Sequence, residues 1–184
     1  LNNFLLALLA TLSHDFPSLE VHVFSHHPEE IVQLVQTETI DFGFYCTCLI
    51  NGNFLNSLPE ELVFTPLLPA KLHVLISNHS PLAVYKSVSI KTLLPYPFIM
   101  QCTKETKIPY LQSLINIFGT PKQIITKTSV PLCYELVLAG MGNYLQIAVV
   151  NNFPQLPRQI TVLPIRDEIE MTYGYIAKKG HLFT

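Results

Sequence analysis

The sequence predicts an α/β fold on three observations. Segments with apolar residues at every second position alternate with segments whose apolar residues recur at the 3.6-residue period. Glycine and proline punctuate the changes of period. The chain has 184 residues, 49% of them hydrophobic, which is enough to enclose a core.

Leu1, Phe4, Leu5, Leu8, Leu9, Leu12 and Phe16 fall on one face of a first helix, which Pro17 ends. Ala7 and Ala10 lie opposite with Leu6 at their margin, a second surface that fits either a buried core or a contact with another copy. Residues 19–24 alternate, with Leu19, Val21 and Val23 on one side, and read as a strand. A helix starts at Pro28, where a missing N–H does no harm, and Glu29 and Glu30 favour the positive end of its dipole. Ile31, Leu34 and Val35 form its inner face. Residues 40–45 are apolar apart from Asp41 and Gly43, as expected of a strand covered on both faces, and strand, helix, strand reads as a right-handed crossover with parallel strands.

Further strands are predicted at 72–77, 98–100 and from Ile124, and helices at 90–94, 111–118 and 131–139. Pro81 builds a turn after the first of these strands. Gly119 closes one helix, and Gly140 with Gly142 closes another. Residues 63–68 and 160–165 both end at a proline-bearing segment, Thr65-Pro66-Leu67 and Leu163-Pro164-Ile165, and each is followed by a polar break and a strand, 71–77 and 171–177. Two such connections predict two crossings between lobes, residues 1–68 plus 166–184 and residues 69–165. Ligands of open α/β sheets sit beyond the carboxyl ends of the strands, which places a site in the cleft between the lobes.

Composition narrows the function. The densest apolar stretch, residues 4–10, stops at Thr11 and Ser13, well short of the roughly 20 residues a spanning helix needs. No segment has the pattern of a secretory signal, so a cytoplasmic protein without a membrane is expected. Net charge is −2 and the arginines are Arg158 and Arg166, so nucleic-acid binding by these residues is not expected. Catalysis has no constellation: Asp41 is an acid inside a strand pattern, no serine sits in G-x-S-x-G, and Gly140-Met141-Gly142 lacks the rest of a phosphate loop. No cofactor, metal or catalytic residue is expected. Cys46, Cys48, Cys102 and Cys133 are expected as reduced thiols, since a core of this size needs no disulfide.

The run Phe16-Pro17-Ser18-Leu19-Glu20-Val21, then Leu34-Val35 with Ile40-Asp41-Phe42-Gly43, then His79-Ser80-Pro81-Leu82-Ala83, then Leu136-Val137-Leu138-Ala139-Gly140-Met141-Gly142 resembles the effector-binding domain of LysR-type transcriptional regulators. The motifs cover nearly the whole chain in register. The resemblance implies a two-lobed fold like that of type 2 periplasmic binding proteins, each lobe a small mixed sheet flanked by helices. It also implies a homodimer, or a tetramer in the full-length protein, in which the first helix packs antiparallel on the helix at 111–118 of a partner. DNA is then held only by a helix-turn-helix domain outside this sequence, which reads as a fragment that also lacks the family's first strand and last helix. Asn143-Tyr144-Leu145-Gln146 departs from the family pattern and implies that a helix after the glycine turn starts differently.

On the same resemblance the cleft is lined by Asn2 and Asn3, Ser25 and His26, Cys46 and Thr47, Gln101, Cys102 and Thr103, and Ser129 with Val130. Strand ends and helix starts suit a carboxylate, and with no arginine among these residues an amino acid or small carboxylate effector is favoured over a highly charged one. The same Ser, Thr and Asn residues are also ordinary helix caps. Cys46 and Cys102 match positions that often carry a hydroxyl residue in the family, but C-x-C without a second pair is not a zinc site. His26 and His27 point in different directions, so one at most faces a ligand. Two alternatives stay open: a solute-binding protein of a transporter with the same fold, and a dimerising module whose cleft is filled by Tyr45 or Met100.

Overall fold

Helix α1 (Asn2–Asp15) opens the chain where its apolar period places it. The computed structural model describes residues 2–50, 52–54, 57–101, 109–127, 129–149 and 156–180, with backbone alone for residues 2, 3, 53, 54, 101, 109–111 and 127. Phe4, Leu5, Leu8, Leu9 and Leu12 are half-buried, whereas Leu6, Ala7 and Ala10 are exposed. Phe16 lies past the last turn and is exposed.

Residues 19–24 do not form the strand their alternation predicts. They carry no regular structure and pair with no strand among the described residues, and Leu19, Val21 and Val23 are 50%, 44% and 55% exposed. Period 2 prepares a segment for a sheet, but a strand exists only where neighbours take its N–H and C=O groups. The parallel crossover expected here is therefore absent from the described structure.

Helix α2 (Pro28–Gln36) starts on Pro28, and its Glu30 carboxylate accepts from the His27 N–H at 3.3 Å. Strands β1 (Phe42–Ile50) and β2 (Asn53–Phe54) follow. No break separates residues 63–68 from the strand expected at 71–77: both lie in one 16-residue strand, β3 (Leu62–Ser77), whose register shifts between Pro66 and Leu68. A 3-10 turn at Pro81–Val84 begins on Ser80, whose hydroxyl accepts from the Leu82 N–H at 3.3 Å.

Then come α3 (Ile90–Leu93), β4 (Pro97–Gln101), α4 (Pro109–Phe118), β5 (Gln123–Lys127) and α5 (Val130–Leu138). Gly119 ends α4 at φ +113° and Gly140 ends α5 at φ +69°, backbone angles that L side chains rarely adopt. After Gly142 the chain enters a strand, β6 (Asn143–Val149), and not the helix the resemblance implied. Asn143-Tyr144-Leu145 is buried throughout, and the aromatic Tyr144 is a good strand residue. Strands β7 (Ile160–Pro164) and β8 (Ile169–Lys178) complete the described chain.

All eight strands belong to one mixed sheet in the order β2-β1-β8-β3-β6-β4-β5, with β7 on a separate stretch of β3. Strand β4 runs parallel to β5 and β6, and the remaining pairs are antiparallel. The division into halves happens along β3: Leu62 to Ala70 pairs with β8, and from Ala70 onward it pairs with β6 and β7. The return passage, residues 165–168, is held by the second half. There Ile165 bridges Val88, the Arg166 N–H donates to the Val88 carbonyl, and Asp167 accepts from the Ile90 N–H at 2.7 Å.

Two helices each cover one part of the same face. Val35, Tyr45, Leu62 and Ile176 pack in the α2 cluster, and Leu75, Ile99, Cys133, Val137, Tyr144 and Ile160 in the α5 cluster. The other face carries one cluster through both halves, from Cys48 and Met171 across Leu72, Val74 and Ile76 to Phe98, Met100 and Leu114. Leu75, Ile76 and Ile176 are fully buried, each contributing about 1.5–3 kcal/mol of apolar transfer.

Candidate binding cleft

Strand register sets the rows of the face opposite α2. Phe44 stands across from Tyr175, Cys46 from Tyr173, and Cys48 from Met171. The first row lies under the start of α1: Phe4 meets Phe44 edge-on at 6.0 Å, and Phe42 packs on Phe44 and Tyr175 at 5.7 and 6.0 Å. The third row is core, with Cys48 and Met171 2% and 3% exposed. Between them Cys46 and Tyr173 are half-buried. At the other end of this face, Met100 and Phe98 are covered by Leu114 and Ile115 of α4.

Electrostatics on this floor are set by burial. It pushes the Cys46 thiol up to about 12 and the Cys48 thiol up to about 11, and it raises the Tyr173 phenol as well. Thiols that keep their protons are poor nucleophiles and poor metal ligands. Among the described residues no three His, Cys, Asp or Glu side chains converge as a metal site.

The expected lining residues divide. Cys46 lies on the same face as Phe44 and Cys48. Thr47 does not, because neighbours on a strand point to opposite faces; it is 5% exposed and its hydroxyl donates to the Thr172 carbonyl at 3.4 Å. Tyr45, a candidate for filling the cleft, belongs to the α2 cluster for the same reason, while Met100 is buried against α4. His26 holds the Glu30 carboxylate at 3.2 Å and lies 6.2 Å from the Phe24 ring, with Ser25 exposed beside it. Ser129 precedes α5 but makes no side-chain cap there, and Val130 is the first residue of that helix. Gln101 ends β4 opposite Lys127, two residues before Ser129, so these chain ends meet at one end of the second half. Asn2 and Asn3 are placed by backbone in the first turn of α1, and Cys102 and Thr103 lie outside the described residues.

Tyr173 is the neighbour of Cys46 that the sequence did not reveal. Alternation in residues 171–177 puts it on the Met171 face, but only the antiparallel pairing of β1 with β8 sets it beside Cys46. A depression of about 300 Å³ lies elsewhere, on the return passage between Lys71, Leu72 and residues 165–170. Its acids are engaged in part structurally, Asp167 by the start of α3.

The family model described as the LysR substrate binding domain matches residues 1–183. The chain belongs to this family. This LysR domain is 27% identical over 161 residues to the HTH-type transcriptional regulator CysL of Bacillus subtilis (strain 168), covering 87% of this chain and 51% of that protein. It thus spans about half the length of that relative. Among solved structures, the regulatory domain of CcmR from Synechocystis PCC6803, in complex with 2-PG, matches with a TM-score of 0.78 at 19% identity, over 100% of this chain and 85% of that one. The BenM effector binding domain with its effector benzoate matches with a TM-score of 0.73 at 18% identity, over 95% and 78%. The LysR domain therefore has the two-lobed, type 2 periplasmic-binding-protein-like fold. Its strands form one mixed sheet that runs through both halves. No described helix is long and apolar enough to cross a membrane.

Proposed function

We propose that this LysR domain is the ligand-sensing part of a transcriptional regulator, binding a small effector in the cleft between its lobes. The lobes are residues 1–68 with 166–184 and residues 69–165. The observation that carries the reading is the half-buried row at Cys46 and Tyr173, set between the aromatic cluster under α1 and the core under α4. Two neighbours of the same fold were solved with small effectors, benzoate and 2-PG. The effector is an amino acid or small carboxylate, held from Cys46 in the middle of β1, the end of β4 at Gln101 and the helix start at Ser129. It acts by favouring one arrangement of the lobes, with an energy limited to its differential affinity for the two. DNA contact belongs to a part of the protein outside these residues, in the cytoplasm.

The same reading includes a homodimer in which α1 of one copy packs antiparallel on α4 of another, and a tetramer for the longer protein. Leu6 on α1 and Ile117 on α4 are 65% and 46% exposed and supply apolar area for it. Thermal-shift screening with amino acids and small carboxylates tests the sensor. A binder at 100 times its Kd stabilises by about 2.7 kcal/mol. A flat screen overturns the ligand assignment, and sedimentation as a monomer at micromolar concentration overturns the dimer.

A further inference from the structure

We infer that the Tyr173 hydroxyl is the polar anchor of the cleft, and that the ligand it holds is a small, largely apolar molecule presenting one acceptor oxygen, neutral or singly charged. The inference rests on the sensor reading and names the chemistry of that same site.

Tyr173 is half-buried, and its hydroxyl has no hydrogen-bond partner among the described residues. The hydroxyl is not shut off from solvent, so a ligand oxygen can take the place of the water it would otherwise bond. Desolvation holds the proton on it, so it offers a donor and seeks an acceptor. The Cys46 thiol stands directly across the ladder, protonated for the same reason. The strand residues beside this pair on the same face, Phe44, Cys48, Met171 and Tyr175, bring no charge. Such a floor replaces water around an apolar body and one oxygen. It gives a dianion nothing for the solvation it would lose.

The three methionines provide the readout: Met171 is next to the anchor, Met100 is in the core under α4, and Met141, 50% exposed after α5, is a distant control. With methyl-labelled methionine in the intact chain, titrations with benzamide, benzoate and phthalate are followed by NMR. Benzamide or benzoate is expected to move the Met171 signal and leave Met141 in place, while phthalate moves neither. Tyr173→Phe keeps the ring and removes the donor. It is expected to weaken the responding probe about 10-fold, the loss of one hydrogen bond of ordinary strength. Unshifted Met100 and Met141 signals in the unliganded variant verify its fold.

Equal affinity in Tyr173→Phe, or phthalate binding as tightly as benzamide, overturns the inference and leaves the cleft reading intact. No Met171 response to any of the three probes also refutes this chemistry for the floor. The sensor reading then stands or falls separately on the thermal-shift screen.

Discussion

Residues 19–24 and residues 72–77 carry the same pattern and meet opposite fates. Leu19, Val21 and Val23 are about half exposed in a segment without a ladder, whereas Leu72, Val74 and Ile76 are 3%, 0% and 0% exposed in β3. Both have period 2, and both have β-branched residues at two of the three inward positions. What differs is supply from outside the segment. Strand β3 has β6 and β7 on its edges, and its inward residues meet Leu82, Ile90 and Leu93. Intrinsic preference of a few tenths of a kcal/mol per residue is small beside burial worth about 1.5–3 kcal/mol for a whole side chain.

The comparison is sharpest under truncation. Ile76→Ala is expected to lower unfolding free energy by about 2–5 kcal/mol, read from urea midpoints at constant slope, while Val21→Ala stays within about 0.5 kcal/mol. A loss above ~1 kcal/mol for Val21→Ala would break it, because the segment would then be docked in solution. A smaller effect is expected of Gly174→Ala in β8, whose new Cβ would lie 2.2 Å from the Thr65 carbonyl oxygen and 2.6 Å from the Phe64 ring. Backbone cannot retreat as a flexible side chain can, so a loss of about 1–3 kcal/mol is expected by thermal or urea unfolding.

Acid is expected to act on the buried region through His73, which is 9% exposed in β3. Burial holds this imidazole below its ordinary range, and the Lys71 charge adds to that, against the hydrogen bond to the Lys71 carbonyl. The unfolded chain takes the proton near pH 6.5, before the folded one does. Stability from neutral His73 is therefore complete above that pH and is lost as pH falls through the lower folded value. Urea midpoints measured from pH 7 to 5 should fall more steeply for this protein than for His73→Gln; parallel profiles would exclude His73 as the cause. The smallest effect is expected at the surface, where Lys178 of β8 pairs with Glu38. With side chains 36% and 53% exposed, Glu38→Ala should cost less than about 1 kcal/mol and less still in high salt.

Much of the fold was legible because its signals are local. The start of α2 at Pro28, the ends of α4 and α5 at Gly119 and Gly140, and the turn at Pro81 follow from backbone chemistry carried by single residues. The unity of β3 was hidden, since two prolines signal a break and only the neighbouring strand shows that a register shift accommodates them. The same limit applies to the cleft. Alternation alone puts Cys46 and Thr47 on opposite faces of β1. Tyr173 could not be joined to Cys46 without the β1–β8 pairing, a contact between distant parts of the chain.

The two passages between the halves are mechanically unlike. One is β3 itself, laddered on both sides of Ala70, and the other is the four-residue stretch 165–168, clasped to Val88 and Ile90. Strand β3 is continuous through the joint, and a strand is twisted about its own axis. A rotation of one half against the other would turn about β3, with residues 165–167 held to the second half by Val88 and Ile90 and β8 held to the first by β1. An effector bound beside β8 would act on the angle of that twist more than on the width of an opening.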